Sequence, residues 1–300
     1  MERVGVNAPR YQTVSKRWRW FQGSILIGLA LEAAMTFTIA TWNINSLRLR
    51  QAHLHQLIAR LRPDVLCLQE TKVPDDLFPE TLGAEIGLPY CLKRGMKSYN
   101  GVAIYARLPL TLVETSPDWC NKNDCRHLSA MITMPDGPLI IHDFYVPAGG
   151  DLPDRDANPK FAHKLDFLSE TRQHFEKHPA RRAILVGDLN IAPLEHDVWS
   201  HKQLLDVVSH TPVEVASLTA WQNAGFYDAI RHFVPNDQKL YTWWSYRNRD
   251  WAASDRGRRL DHIWVTPDLV PALQSHVILR EARDWTQPSD HVPVALTLKI

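Results

Sequence analysis

Short segments in which hydrophobic and polar residues alternate recur along the chain. A two-residue alternation places one face of an extended segment against a core, and it therefore predicts β-strands. Clusters of proline, glycine and polar residues between these segments predict turns. The predicted strands are residues 36–42, 65–69, 101–105, 127–134, 139–145, 183–186, 260–265 and 292–298. Strands spread over the whole chain favour a fold built on β-sheets.

Three further segments have apolar residues at helical spacing or a helix-start signal. The stripe of residues 50–61 consists of Leu54, Leu57, Ile58 and Leu61. The stripe of residues 160–177 consists of Phe161, Leu165, Leu168 and Phe175. A third helix begins at Thr211-Pro212-Val213-Glu214, a capping box with proline at the first helical position, and Gly225 is placed to end it. Few helices among many strands predict one α+β domain.

The composition of the 300 residues is that of a globular protein, with 45% hydrophobic and 22% charged residues. This length suits one large domain or two small ones, and the sequence has no repeat or long linker that would divide it. The net charge of +1 lacks the basic excess of many nucleic-acid binders, so a basic patch must be local. The four cysteines lack metal-binding spacing, which predicts free thiols in a cytoplasmic protein: Cys67, Cys91, Cys120 and Cys125.

The first 35 residues differ in composition from the rest of the chain. They carry five basic and two acidic residues, and residues 24–31 form a short apolar run. This run is too short to span a bilayer, although it has the outline of a signal peptide. Against targeting, Glu32 closes the run and Met35 directly precedes the first predicted strand. We expect residues 1–35 to be an extension, either without function or acting in targeting, and residues 36–300 to form the folded domain.

Polar side chains follow the apolar strands where those strands end. In Gly187-Asp188-Leu189-Asn190, Gly187 is expected to end the strand, and an acid and an amide follow two residues apart. Alone, this is also ordinary turn chemistry. Asp261 lies inside a predicted strand, and similar residues stand at other strand ends: Asn43, Glu70, Tyr145, Asp290 and His291. Each has a structural explanation as a cap, a turn residue or a packed ring, but their repetition predicts an acidic site for a hard divalent ion.

These residues belong to a series of motifs that occur in a fixed order. The motifs are Thr41-Trp42-Asn43-Ile44-Asn45, Leu68-Gln69-Glu70-Thr71-Lys72, Tyr145-Val146-Pro147, Gly187-Asp188-Leu189-Asn190, Arg259-Leu260-Asp261 and Ser289-Asp290-His291. As a set they resemble the exonuclease III family of AP endonucleases, within the endonuclease/exonuclease/phosphatase superfamily. The resemblance covers about residues 36–300 and implies that they form the catalytic domain. It also implies a four-layered α/β sandwich of the DNase I-like kind, an α+β fold in which two packed mixed β-sheets are flanked by helices.

The resemblance assigns a role to each motif residue. Glu70, with Asn43 and Asp290 beside it, would hold Mg²⁺ on the phosphate, with Mn²⁺ as an alternative ion. Asp188 would be the general base for the attacking water and Asn190 would orient that water, and whether both also bind a second metal ion is left open. The remaining catalytic candidates are His291 on the phosphoryl oxygens, Asp261 behind His291, and Tyr145 at the phosphate or the leaving group.

A segment rich in aromatic and arginine residues bears on the substrate. It reads Tyr241-Thr242-Trp243-Trp244-Ser245-Tyr246-Arg247 and is followed by Arg249, Arg256, Arg258 and Arg259. Rings beside arginines suit a sugar or base and its phosphates, which favours DNA over lipid. An aromatic-rich turn of the core is the alternative, particularly for Trp244 or Trp251 taken singly. In the family, the position of Trp243 belongs to the pocket for the base-free sugar. The predicted substrate-binding residues are Trp243, Arg247 and Arg259.

Two positions depart from the common family pattern. Ala148 stands where many members have asparagine after the Tyr-x-Pro motif. Arg258 stands where many members have a bulky apolar residue that helps to line the pocket for the abasic sugar. These departures leave the balance between abasic incision and exonuclease action open, whereas the catalytic set is complete.

The sequence thus predicts a metal-dependent DNA repair nuclease. We expect incision 5′ to abasic sites, 3′→5′ exonuclease action and cleaning of 3′ ends, all on double-stranded DNA. We further expect a monomer without stable membrane association. The alternative enzyme is a superfamily phosphodiesterase or phosphatase that acts on RNA, phosphoinositide or phospholipid. The alternative without catalysis is a DNA-binding module, but such a module is expected to lack an acid or the histidine.

Overall fold

The computed structural model describes residues 35–113, 117–248 and 250–300, so the predicted extension lies outside the described residues except for Met35. Within these ranges the chain forms fourteen strands. They are β1 Thr36–Asn43, β2 Val65–Gln69, β3 Tyr90–Met96, β4 Tyr99–Ala106, β5 Thr111–Leu112, β6 His127–Met134, β7 Gly137–Tyr145, β8 Ala183–Asp188, β9 Tyr227–Asp228, β10 Trp243–Trp244, β11 Gly257–Arg258, β12 Asp261–Val265, β13 Leu273–Ile278 and β14 Val294–Lys299.

Helices connect and cover these strands. The α-helices of the described ranges are α1 Leu47–Leu61, α2 Leu82–Glu85, α3 Pro159–Lys177, α4 His201–Leu204, α5 Pro212–Gln222 and α6 Trp251–Ser254. Short 3₁₀ helices span Asp75–Leu77, Trp119–Asn121, Glu195–Asp197, Pro267–Ala272 and Arg280–Asp284. The predicted capping box is confirmed at α5, where the side chains of Thr211 and Glu214 each bind the other's backbone N–H, although the helix ends before Gly225. No described helix is long and apolar enough to cross a membrane.

The strands form two six-stranded mixed sheets and a two-stranded ribbon, β10-β11. The order is β13-β14-β1-β2-β4-β3 in the first sheet and β5-β6-β7-β8-β12-β9 in the second. In the first sheet β1 and β2 are parallel and β14 is antiparallel to β1. In the second sheet β7 and β8 are parallel and β12 is antiparallel to β8. At one end of each sheet, two parallel strands therefore finish beside the first residues of a third, antiparallel strand.

The predicted sandwich of two packed sheets between helices is confirmed by the distribution of the buried apolar residues. One cluster fills the space between the sheets, with Ile39 of β1 and Val186 of β8 among its members. A second cluster packs Leu54 of α1 on the outer face of the first sheet. A third packs Phe167 of α3 and Trp221 of α5 on the outer face of the second sheet. Helix, sheet, sheet and helix thus follow one another as four layers, because both faces of each sheet carry apolar side chains that must be covered.

The inward-facing row of each central strand changes from apolar to polar at one end of the sandwich. In β1, Phe37 and Ile39 belong to the core between the sheets, and Thr41 and Asn43 continue their row. In the other central strands the same inward row ends in a buried polar side chain: Gln69 in β2, Tyr145 in β7, Asp188 in β8 and Asp261 in β12. Alternate residues share a face of a strand. The period that builds the core therefore also directs these polar side chains toward each other.

Two predictions about strands need correction. The strands at the two edges of the first sheet, β3 and β13, were absent from the predicted set, because edge strands are partly exposed on both faces and lack a clear alternation. In addition, Gly187 does not end its strand, since β8 continues to Asp188. Gly187 has φ of +138°, and a Cβ there would lie 1.9 Å from the carbonyl oxygen of Phe144. The glycine is thus required for the close approach of β8 to β7.

A buried polar layer separates the apolar core from the polar strand ends. The side chain of Gln69 donates from Nε2 to Thr41 Oγ1 at 2.9 Å and to Asp143 Oδ1 at 2.6 Å, which joins the first sheet to the second. Asp143 is fully buried and forms no ion pair within the described residues. Burial raises the pKa of this carboxyl well above its usual value, although the bond from Gln69 opposes the shift. The folded protein therefore binds a proton at Asp143 more tightly than the unfolded chain does.

Asp143→Asn is expected to raise the melting temperature at pH 8 and to change it less at pH 5. The proton bound by native Asp143 stabilises the fold at low pH, and this stabilisation is lost as the pH rises through the raised pKa. Asparagine keeps the acceptor for Gln69 and does not ionise. A gain of 1 kcal/mol corresponds to about 2–4 °C for a domain of this size, so thermal unfolding at the two pH values measures the effect. The control is Asp237→Asn at an exposed carboxyl; an equal or lower melting temperature for Asp143→Asn at both pH values would contradict the prediction.

Candidate active site

The polar strand ends converge between the two sheets. Asn43 at the end of β1 donates from Nδ2 to Glu70 Oε1 at 3.1 Å and to Asp188 Oδ2 at 2.9 Å. Tyr145 at the end of β7 donates from its hydroxyl to the same Glu70 oxygen at 2.6 Å. These bonds link residues that are up to 145 positions apart in the sequence. The predicted strand-end residues thus form one cluster.

The carboxylate of Glu70 is held in its charged form. Glu70 follows β2 with φ of +52°, which turns the chain out of the strand. Burial alone would raise the pKa of this carboxyl, but Lys72, at 2.8 Å from Oε2, and the bonds from Tyr145 and Asn43 outweigh burial and lower it. The phenol of Tyr145 behaves in the opposite way, since burial and the charge of Glu70 raise its pKa well above the usual value. The pair is therefore a carboxylate beside a protonated hydroxyl.

Asp188 and Asn190 form the second side of the cluster. The backbone N–H of Asn190 donates to Asp188 Oδ1 at 2.9 Å, and its side chain donates from Nδ2 to Asp188 Oδ2 at 3.1 Å and to the carbonyl oxygen of Val146 at 2.9 Å. Asn190 adopts φ of +54°, which brings its amide back over the carboxylate. Burial raises the pKa of Asp188 and outweighs the opposing effect of His291. A carboxylate with a raised pKa is a stronger base than an exposed one.

His291 lies between two buried carboxylates. Its Nδ1 is 2.9 Å from Asp261 Oδ2, and its Nε2 is 3.6 Å from Asp188 Oδ2. Burial would lower the pKa of His291, but the charges of Asp261 and Asp188 dominate and raise it, so the ring is an imidazolium. The hydroxyl of Thr242 donates to Asp261 Oδ2 at 2.6 Å, and Trp42 donates from Nε1 to the carbonyl oxygen of His291 at 3.0 Å. Both the carboxylate and the backbone of the histidine are thereby fixed.

The donor set of this cluster suits a hard divalent ion. Glu70 and Asp188 supply carboxylate oxygens around the amide of Asn43, Asp290 supplies another beside the amide of Asn45, and such ions prefer oxygen ligands. Ligand atoms of Asp188, Asp261 and His291 also lie within 4.8 Å of one another in a buried group that could hold a metal ion. In that group, however, the histidine and Asp261 already bind each other, which favours an ion pair there. The oxygens around Glu70 therefore fit a metal ion better.

A cavity of about 970 Å³ opens beside the cluster. The cavity is lined by members of the cluster, namely Glu70, Tyr145, Asp188, Asn190, Asp290 and His291. Its lining also includes the predicted substrate-binding residues Trp243 and Arg247. The indole of Trp243 donates from Nε1 to Asp290 Oδ2 at 2.9 Å, so this ring is tied to the catalytic side. Arg247 is exposed at the rim. An aromatic and cationic wall thus adjoins an acidic centre.

Arg259 does not belong to this wall, and its predicted role in substrate binding is corrected. Its side chain is fully buried and lies 2.6 Å from Asp228 Oδ2 and 3.7 Å from Asp197 Oδ2. These two carboxylates raise its pKa although burial opposes this. A guanidinium engaged in this way has a structural role. Arg258, the preceding residue, faces the cavity instead, whereas Arg249 lies outside the described residues.

Three residues without a predicted role also support the site. Asn45 donates from Nδ2 to Asp290 Oδ1 at 3.0 Å and accepts from Lys72 Nζ at 2.6 Å, and both residues stand in the quoted motifs. Lys164 of α3 is fully buried, with Nζ 2.5 Å from Glu214 Oε1, and it donates to the carbonyl oxygens of Asn190 at 2.8 Å and Ala148 at 3.2 Å. Lys164 therefore joins the two loops that follow Tyr145 and Asp188. Its place in the apolar stripe of α3, three residues after Phe161, is the signal in the sequence that could have indicated this.

A fold of two packed sheets with acids and a histidine at one end defines a class of metal-assisted phosphoesterases. The profile described as the Endonuclease/Exonuclease/phosphatase family matches residues 40–291. The chain belongs to this family. Within the family it belongs to the group of exodeoxyribonuclease III and the AP endonucleases, since its relatives at about 30% identity over most of the chain carry these names.

Three relatives illustrate the similarity. The exodeoxyribonuclease III of Haemophilus influenzae is 30% identical over 263 residues, which are 85% of this chain and 97% of the relative. The solved AP endonuclease from Archaeoglobus fulgidus has a TM-score of 0.81 and 29% identity, with 88% of this chain and 100% of that chain covered. A solved 3′ phosphatase from Neisseria, bound to a product DNA hairpin, has a TM-score of 0.79 and 29% identity at the same coverage. The matched part of this chain thus covers nearly the whole length of each of these three relatives.

Proposed function

We propose that this protein is a divalent-metal-dependent DNA repair nuclease that incises DNA 5′ to abasic sites and also trims and cleans 3′ ends. The observation that carries the proposal is the His291 imidazolium between Asp261 and Asp188, beside the Glu70 cluster and the wall formed by Trp243. This arrangement supplies a base, a cation for phosphoryl oxygens and acidic oxygens for a metal ion. Relatives named as exodeoxyribonuclease III and AP endonuclease support the assignment to DNA repair.

The proposed metal ion is Mg²⁺, and Glu70, Asn43 and Asp290 would hold it. When bound, such an ion supplies positive charge that polarises the phosphoryl group. Glu70 is suited to this because its pKa is lowered, so the carboxylate stays charged. Lys72 Nζ lies 2.8 Å from Glu70 Oε2 and provides a positive charge at the same carboxylate. Whether Asp188 and Asn190 hold a second ion is a separate question, which metal titration of the activity addresses.

The protein's own groups would carry the proton transfers. Asp188 takes a proton from the attacking water, and Asn190, anchored to Val146, orients that water or a phosphate oxygen. His291 donates hydrogen bonds to the oxygens that gain charge as the pentavalent transition state forms. Asp261 keeps the imidazole oriented and charged. Tyr145 retains its proton, because its pKa is raised, and contacts the phosphate or the leaving oxygen.

The cavity wall favours DNA among the phosphodiesters of the superfamily. Trp243 and Arg247 offer a ring and a guanidinium next to the catalytic centre, which suits a deoxyribose and its flanking phosphates. A phosphodiesterase of RNA, phosphoinositide or phospholipid is the competing enzyme. A DNA-binding module without catalysis is disfavoured, because each predicted acid and the histidine are present in the cluster. The proposed partner is double-stranded DNA, bound by a monomer. Four free thiols suit the cytoplasm.

The test compares labelled substrates with and without a chelator of divalent ions. A duplex with one abasic site, a duplex with plain 3′ ends and a duplex with 3′-phosphate should each be cleaved with Mg²⁺ and none with the chelator. Short RNA and phosphoinositide serve as competing substrates at equal concentration. Faster hydrolysis of either competing substrate would favour the alternative enzyme. Binding of the DNA duplexes without any cleavage, at all metal concentrations, would favour the binding module.

A further inference from the structure

Arg258 occupies the wall of the active-site cavity in an unusual way. It lies in β11, opposite Trp243 of β10, and its guanidinium carbon is 5.4 Å from the centre of the Trp243 ring. Nη1 donates to the carbonyl oxygen of Val208 at 3.0 Å and to Ser209 Oγ at 2.7 Å. Two hydrogen bonds and one ring therefore hold the guanidinium in place. It lines the same cavity as Asp188 and His291.

The charge of this guanidinium has no partner in the described part of the chain. No carboxylate of that part lies within ion-pair distance of Arg258, in contrast to Arg259, which Asp228 and Asp197 neutralise. Glu214, the acid that acts on Arg258 electrostatically, is itself paired with Lys164 at 2.5 Å. The Nε atom of Arg258 is buried without a hydrogen-bond partner. A fixed, partly buried cation without a counter-charge is a binding element for an anion.

Arg258 also changes what the ring of Trp243 can accept. A base-free deoxyribose is a neutral ring that binds by packing against apolar surface. Here the guanidinium lies over the Trp243 ring, so a sugar that packs on that part of the ring would have to displace a charged, hydrogen-bonded group. Displacement would leave the carbonyl oxygen of Val208 and the guanidinium without their bond, which is unfavourable in a partly buried site.

The internal phosphodiester at an abasic site and the 3′-phosphomonoester differ in what one oxygen of the reacting phosphate carries. In a phosphodiester, the scissile phosphate carries the continuing chain on its far side. In a 3′-phosphomonoester, the same position carries a further anionic oxygen and no sugar. With its phosphorus at Asp188 and His291, the monoester therefore brings more negative charge and less bulk into the cavity that Arg258 also lines.

We propose that Arg258 is a specificity-determining residue that makes 3′-phosphate ends the preferred substrate over internal abasic sites. This rests on the proposed function of the site and adds an order of preference to it. In the favoured reaction, the water oxygen forms a bond to phosphorus and the bond from phosphorus to O3′ breaks. The water gives a proton to Asp188, and O3′ takes a proton from solvent water, so the products are a 3′-hydroxyl end and inorganic phosphate. Arg258 binds the additional oxygen of the monoester.

The test measures kcat/KM for two matched duplexes, one with a 3′-phosphate at a nick and one with an internal tetrahydrofuran abasic analogue. The wild-type protein should prefer the 3′-phosphate. Arg258→Leu should lower the ratio of 3′-phosphate to abasic hydrolysis by about 10- to 100-fold, the effect of losing a hydrogen bond to a charged group. Abasic incision should change less than 3′-phosphate hydrolysis does. Arg258→Lys, which keeps the charge, should restore part of the ratio.

Control variants separate charge at this position from other effects. Arg256 lines the same cavity but lies over Trp199, so Arg256→Leu should weaken both reactions alike and leave their ratio unchanged. Arg258→Gln removes the charge and keeps a donor, and it decides the question if Arg258→Leu does not fold. An unchanged ratio in Arg258→Gln or Arg258→Leu, with an active wild type, would overturn the role of Arg258 alone. Hydrolysis of neither duplex by the wild type would overturn the proposed function and this inference with it.

Discussion

Asp188→Asn is expected to lower kcat/KM for DNA cleavage by about 10³–10⁴-fold, near the upper range for removal of a general base. The substitution keeps the shape of the side chain, but it replaces one of the two oxygens that accept from Asn43 and Asn190 by an NH₂ group and removes the acceptor for the proton of water. It also places an amide where His291 Nε2 now faces a carboxylate at 3.6 Å. Single-turnover rates on the duplexes described above measure the loss.

A matched control distinguishes catalysis from folding for this variant. Asp237→Asn makes the same chemical change at an exposed position outside the cavity, and its rates should equal those of the wild type. Asp188→Asn should remain folded at the assay temperature, because the amide has no charge to bury, which offsets the loss of one acceptor oxygen, and thermal unfolding checks this. Retention of more than a tenth of the wild-type rate by Asp188→Asn would mean that another group accepts the proton.

His291→Gln and Asp261→Asn should each reduce the rate strongly, and their effects should not add. Loss of one preorganised donor to a charged transition state costs about 10²–10³-fold. In the proposed mechanism Asp261 does not contact the phosphate. It acts by holding His291 through the 2.9 Å contact to Nδ1. Once the imidazole is absent, removing the carboxylate should matter little. The double variant is therefore expected to be no slower than His291→Gln alone.

The double-mutant cycle tests the coupling directly. Rates of the wild type, the two single variants and the double variant are measured on one substrate. Thr242→Val, which removes the hydroxyl that donates to Asp261 at 2.6 Å, should show a smaller loss of the same kind. Additive effects of His291→Gln and Asp261→Asn would show that Asp261 has a role independent of the histidine, for example at a metal ion.

The sequence pattern located most of the fold because the central strands are buried on both sides or on one side with clear alternation. β6 agrees with its predicted bounds, and the capping box at Thr211 begins α5. The pattern failed at β3 and β13, whose mixed exposure reflects their position at the edges of the first sheet. Edge strands have a partner on one side only, so their side chains are less completely buried and alternate less clearly.

Strand alternation could have separated Arg258 from Arg259 before the structure was known. Adjacent residues of an extended chain point to opposite sides, so both arginines cannot face one cavity. The sequence does not say which of them does so. The structure places Arg259 between Asp228 and Asp197 and leaves Arg258 over Trp243. The residue first assigned to the substrate is structural, and its neighbour lies at the site.

The sequence by itself predicted the residues of the cluster, because polar residues stand at the ends of apolar strands or directly before them. Only the tertiary structure decided which of these ends meet. The contacts of Asn43 with Asp188, and of His291 with Asp261, join residues far apart in the chain. They depend on the order of strands in two sheets and on how the sheets pack. A local pattern carries no information on strand order or on sheet packing, since both are set by pairing between distant parts of the chain. The hydrogen bond between Gln69 and Asp143, below the site, also joins the two sheets and could not be predicted from the sequence for this reason.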